Sequence, residues 1–191
     1  MTIFVQLPLS NQSLDVVLCA QTLQFLTDRR TALAEMQRVL KPGGRAVVSL
    51  WCQIEESPYF EALVEAISRW IGPETAAGLA AAFGLSDANE IRRLVSGAYF
   101  ENVEITFRQL DLELPPLPEF VPRHVRATPM AAGFVAAPER ARQAVIQDVS
   151  ERLAGYQTEG GVRVPFRTHL VRGVKRVAEI ILFTVSPATA A

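Results

Sequence analysis

The chain has 191 residues, 49% of them hydrophobic, with 19 basic and 20 acidic side chains and a net charge of −1. That length and apolar content suit one domain with a sizeable buried core, and the charge balance argues against a nucleic-acid footprint or an acidic tail. Cys19 and Cys52 lie in apolar runs with no CxxC spacing and no histidine partner, so they read as buried thiols rather than a disulfide framework or a metal site.

The opening MTIFVQLPLS has no basic region and no apolar stretch of signal length. The longest late apolar run, VAEIILFTV, has about half the roughly 20 residues a membrane span needs. These features predict a cytoplasmic protein with no membrane partner.

The first element, Leu14 to Ala20 (LDVVLCA), is a continuous apolar run of the kind found in strands covered on both faces. Asp28 is placed to cap a helix, and from Arg29 to Leu40 the residues Leu33, Met36, Val39 and Leu40 share one face. Pro42 stops that helix, Gly43-Gly44 frees the exit, and RAVVSLW at 45–51 is a second apolar strand. Strand, helix, strand makes a βαβ unit with parallel strands and a right-handed crossover.

Helical spacing returns at 59–71 (Phe60, Leu63, Ile67, Ile71), at alanine-rich 75–83, and at 88–95 after a capping Asp87. VEITFRQLDLEL at 103–114 predicts a strand, with a bulge expected between Phe107 and Leu110 where alternation slips. The prolines of PPLPEFVP predict a loop through Pro122. Residues 138–153 predict an amphipathic helix, and VRVPFRTHLV at 162–171 an antiparallel strand. The tail at 177–185 is read as a possible extra strand.

Gly43-Gly44 and Gly160-Gly161 each lead into a strand rather than from a strand into a helix, so neither makes an anion cradle. Of the two histidines, His169 alternates within the last strand and reads as structural. His124 lies in FVPRHVRATP, where a neutral imidazole has the chemistry to take a proton from a hydroxyl or an acidic carbon. Arg123, Arg126 and Arg140 read as a solvated basic face or as attractors of an anionic substrate.

Positions 7–51, LPLSNQSLDVVLCAQTLQFLTDRRTALAEMQRVLKPGGRAVVSLW, resemble class I S-adenosylmethionine-dependent methyltransferases, and within them the ubiquinone/menaquinone-biosynthesis-like group called methyltransferase type 11. Softer likeness continues through SGAYFENVEI and GGVRVPFRTHLV to about residue 171. The resemblance implies an α/β fold: a partial Rossmann-like sheet holding the family's strands in the order 4-5-7-6, the last antiparallel, with helices on both faces. It also implies a helical lid at about 115–158 within a domain spanning 1–172, and a C-terminal extension at 173–191.

The implied cofactor is S-adenosylmethionine, beside Ile3 and Phe4 and at Cys19, Ala20 and Gln21 at the carboxyl edge of the first strand. The implied acceptor is a small molecule, walled by Trp51, Tyr59 and His124. The family's glycine-rich turn and ribose-binding carboxylate have no counterpart here, so the sequence reads as a methyltransferase truncated at its N-terminus. The competing expectation is a non-catalytic scaffold that forms a homodimer through the exposed edge of its first core strand. An unrelated α/β binding domain sharing only the βαβ corner is the third.

Overall fold

Apolar runs alternate with amphipathic stretches along the chain, and they become strands and helices in that order. The computed structural model describes residues 6–177. In chain order the elements are β1 (Leu14–Ala20), α1 (Arg29–Val39), β2 (Leu40–Trp51), α2 (Pro58–Trp70), α3 (Pro73–Ala80), α4 (Ala88–Gly97) and β3 (Phe100–Leu114). They continue with α5 (Leu117–Arg126), α6 (Ala131–Ala136), α7 (Glu139–Arg152), β4 (Gln157–Thr158) and β5 (Gly161–Lys175). Asp28 caps α1 by accepting from Thr31 N at 2.9 Å, and Asp87 caps α4 by accepting from Glu90 N at 2.7 Å.

The sheet order is β1-β2-β5-β3, with β4 folded back onto the start of β5. β1 and β2 run parallel, while β5 is antiparallel to both of its long neighbours. This is the 4-5-7-6 arrangement expected from the sequence.

Strand alternation divides the core in two. On one face Cys19, Ala46, Val48, Leu50 and Val171 pack under α1 and α4 through Leu33, Met36, Ile91 and Val95. On the other face Val162, Val164, Phe166 and Leu114 pack against α2, α3 and α5 to α7. Those five helices sit at the Trp51 end of β2. Farther along this second face Val16 and Leu18 of β1 are 50% and 74% exposed.

β1 is covered on one face only, not on both as its apolar run predicted, because the helices of the second face sit at the far end of the sheet. Four further details depart from expectation, each for a physical reason. The Lys-Pro-Gly-Gly corner is not an exit loop but a wide bulge inside β2. Leu14 pairs with Leu40 and Val16 with Arg45, so Lys41 to Gly44 loop out. Gly43 takes φ +76°, and a Cβ on Gly44 would stand 2.8 Å from the Lys41 carbonyl oxygen and 3.1 Å from that of Asp15. The register break in β3 lies between Glu101 and Glu104, where Asn102 has φ +49°, not between Phe107 and Leu110. Those two side chains simply point to opposite faces near the strand's exposed middle.

The segment PPLPEFVP is helical. Pro118 sits at the second position of α5, where its missing N–H costs nothing. Pro122 lies inside the helix, and burial of Leu117, Val121 and Val125 along one stripe offsets the bond it removes. Lastly, β5 runs on to Lys175, past the expected end at Val171. Lys175 Nζ anchors it by donating to the Gln37 and Leu40 carbonyls at 2.7 and 2.8 Å. Most of the 177–185 run lies outside the described residues.

Candidate functional site

The carboxyl ends of β1 and β2 carry a polar line. Cys19, the last inward residue of β1, is buried under α1, and burial pushes its thiol up from the usual range. Ala20 is exposed on the opposite face. Gln21 then takes φ +47°, and its backbone N–H donates to the carbonyl and hydroxyl oxygens of Ser49 at 3.0 and 3.2 Å. Its side-chain amide donates to Thr168 Oγ1 at 3.4 Å and accepts from Gln24 Nε2 at 2.9 Å. Gln21, Ser49 and Thr168 thus lie side by side across three strands. Gln24 is 3% exposed, and its side-chain Oε1 has no hydrogen-bond partner among the described residues.

Next to this line stands an aromatic cluster. Trp51, half-buried and paired in register with Thr168, packs edge-on against Phe60 at 5.3 Å, stacks on Phe83 at 6.0 Å and touches Phe166 at 6.1 Å. Tyr59 and Phe60 enter it from the first turn of α2, and Phe120 and His124 from one face of α5. His124 stacks on Phe120, one turn earlier, with centroids 5.4 Å apart and planes 10° apart.

The Tyr59 hydroxyl and His124 Nδ1 are 2.7 Å apart. Tyr59 is 1% exposed, and burial holds its phenol well above the usual range. Burial also lowers His124, so both groups are neutral near pH 7. Nε2 of His124 makes no hydrogen bond among the described residues. The structure therefore brings three residues singled out in the sequence, Trp51, Tyr59 and His124, into one cluster.

Other candidates lie elsewhere. Ile3 and Phe4 are outside the described residues. Arg123, Arg126 and Arg140 are exposed. His169 Nε2 lies 2.8 Å from the Ser86 carbonyl oxygen, tying β5 to the loop before α4.

The resemblance of positions 7–51 implies S-adenosylmethionine, and the residues at the β1 edge do not fit it unaided. The ribose diol calls for a free carboxylate, and all three acidic side chains from β1 to the end of α1 are engaged. Asp15 holds Lys41 at 3.0 Å, and Asp28 caps α1. Glu35 accepts from Arg38 at 2.8 Å and from Leu7 N at 2.9 Å. Arg38 and the Leu7 amide beside it bring Glu35 down to about 2. Arg38 also donates to the carbonyls of Leu7 and Leu9, so this pair clips the 7–11 segment to α1 rather than offering itself to a ligand. No glycine turn follows β1, where the chain reads Ala20-Gln21-Thr22.

Sequence reasoning missed Phe120, Ser49, Thr168 and Gln24. Phe120 and His124 are four residues apart, the spacing of a helical face, but the flanking prolines hid the helix. The other three are single polar residues whose convergence depends on strand register.

A methyltransferase domain family model matches residues 2–48. No curated protein matches the sequence. Among solved structures, a putative methyltransferase from Bacillus halodurans aligns with a TM-score of 0.50 at 13% identity, over 92% of this chain and 70% of that one. A putative methyltransferase from an antibiotic biosynthesis pathway of Anabaena variabilis aligns with a TM-score of 0.54 at 16% identity, over 87% of this chain and 69% of that one. Among the described residues no helix is long and apolar enough to cross a membrane. The strand order, the antiparallel final strand and these matches together identify the fold as that of the class I S-adenosylmethionine-dependent methyltransferases.

Proposed function

We propose that this chain serves S-adenosylmethionine-dependent methylation of a small organic acceptor, and that it supplies the acceptor side of the site. The observation that carries this reading is the Tyr59–His124 hydrogen bond at the rim of the aromatic cluster, beside the carboxyl ends of β1 and β2. Half-exposed Trp51 and Phe120 offer flat apolar surface for a planar acceptor. When Nδ1–H donates to Tyr59 Oη, Nε2 carries the lone pair and takes a proton from the acceptor's hydroxyl or acidic carbon. The imidazolium so formed keeps its Nδ1–H bond to the neutral phenol. Among the described residues no free carboxylate and no glycine turn stands at the β1 edge, and this reading therefore assigns the cofactor grip to residues outside this chain.

Two measurements on the full chain test the reading. Titrating S-adenosylmethionine by calorimetry is expected to give no binding up to about 100 µM, a weak limit on the affinity scale. Tight binding would overturn the assignment of the cofactor grip to other residues. Thermal unfolding with a panel of small phenols, carboxylates and amines is expected to show stabilisation by planar acceptors, lost in His124→Ala. If no member of the panel shifts the wild-type melt, the acceptor site is refuted.

The exposure of Val16 and Leu18 favours a second reading, a non-catalytic scaffold that acts through its sheet edge. Methylation of any small acceptor dependent on this chain would exclude it.

A further inference from the structure

The two edges of the sheet are built differently. β3 presents 15 residues carrying Glu101, Glu104, Arg108, Asp111 and Glu113, and its register breaks between Glu101 and Glu104. Charges and a bulge of this kind keep an open edge from pairing with other chains. β1 has much less of that protection, one charge and one register break, both at its start. Its seven residues, LDVVLCA, include one charge, and Asp15 is already held by Lys41 at 3.0 Å. From Val16 to Ala20 its register with β2 is unbroken, and among the described residues no strand pairs with its other edge. Leu18 is 74% and Val16 50% exposed on one face. Along the edge itself Val17, Leu18 and Ala20 border a hollow of about 160 Å³, shared with Leu7, Leu26 and Met36.

We infer that the free edge of β1 is the seam of a two-fold homodimer of this chain. What selects a second copy is that LDVVLCA is self-complementary about Val17. Antiparallel pairing centred there sets Val16 opposite the partner's Leu18 and Asp15 opposite the partner's Cys19. The exposed apolar residues of the two copies then form lateral cross-strand pairs, Val16 beside Leu18 twice over. Val17 of each copy meets its mate over the α1 side, beside the hollow. The two Asp15–Lys41 pairs fall at opposite ends of the seam, about 14 Å apart at roughly 3.4 Å per residue, beyond the reach of unscreened repulsion. The two sheets merge into one, and neither copy is left with an unprotected edge. This inference does not rest on the methylation reading, although the seam uses the same β1 edge, and the light-scattering mass reads it apart from any methyl transfer.

Multi-angle light scattering on the full chain tests it. The expected mass is twice the chain's 21.0 kDa. Leu18→Lys, at a largely exposed site, is expected to weaken the dimer about tenfold or more, since it replaces two apolar cross-strand pairs by pairs with a strongly hydrated charge. Phe107→Lys on the β3 side is expected to leave it intact. A second measurement fixes the register. In a Cys19→Ser, Cys52→Ser background, Val17→Cys is expected to form a covalent dimer on oxidation, because paired residues across the axis have Cβ atoms within disulfide reach. A single-chain mass across the concentration series would overturn the inference. A dimer that survives Leu18→Lys, or that does not cross-link at position 17, would also overturn it.

Discussion

The Tyr59–His124 pair allows a quantitative test, because its two halves are buried unequally. The perturbation is a double-mutant cycle of Tyr59→Phe, His124→Leu and the pair together. Tyr59→Phe deletes the hydroxyl and leaves Nδ1 of a half-exposed histidine, which water can reach, so the cost is that of one net hydrogen bond, about 0.5–1.5 kcal/mol. His124→Leu instead strands a hydroxyl on a residue 1% exposed, at about 1–3 kcal/mol. It also loses the stack on Phe120, at about 0.5–1.5 kcal/mol. The double variant leaves no stranded group, so it is expected to fall short of the summed single costs by about 1–2 kcal/mol. Urea unfolding at pH 8 measures all four corners.

Changing pH gives the same pair a second signature. Burial lowers His124 below its usual 6.5, so the unfolded chain takes up a proton before the folded chain does. The contribution is fully present above pH 6.5 and declines as pH falls below it, and this part of the slope should vanish in His124→Leu. Additivity within about 0.5 kcal/mol, with an unchanged pH slope, would refute the buried hydrogen bond and everything built on it.

Gly44→Ala should destabilise by about 1–3 kcal/mol, because its new methyl meets two backbone oxygens. Gly43→Ala, with φ +76° and only an ordinary contact of 3.6 Å to Val177 Cγ2, should cost about 1–2 kcal/mol; thermal melts of both rank them. Glu35 is depressed from 4.5 to about 2, so its contribution is complete above pH 4.5 and lost as pH falls towards 2. The stability gap between wild type and Glu35→Gln, followed by denaturant unfolding, should therefore close across that window. Pro122→Ala should restore one helical hydrogen bond in α5 and stabilise by about 1–3 kcal/mol after the entropy gained by the unfolded chain. A loss of stability on chemical denaturation would show that the proline shapes the cap.

The sheet was legible from local pattern, because LDVVLCA, RAVVSLW and VRVPFRTHLV each announce a strand without help from distant residues. Strand order followed from the resemblance around residues 7–51, not from periodicity. What stayed hidden depended on tertiary compensation. Prolines at 118 and 122 argue against a helix until Leu117, Val121 and Val125 are seen to bury together. The bulge in β3 is set by Asn102 in a left-handed conformation, which an Asn inside an apolar alternation does not reveal. The site was half readable. Tyr59 and His124 were singled out separately, but 65 residues divide them, and only the packing of α5 against α2 brings the phenol to the imidazole.

The position of β5 has a consequence for how the chain folds. Among the described residues it is the last strand in sequence, yet it sits between β2 and β3, and both cores close on its alternate residues. During synthesis β1, α1 and β2 can pair locally, but β2 and β3 are joined in one sheet only when residues 161–175 emerge from the ribosome and slip between them. High sequence separation of this kind makes for slow folding and a long-lived open intermediate. The nascent chain would carry four unpaired strand edges until that moment, so its yield in cells should depend on chaperone capacity more than its final stability would suggest.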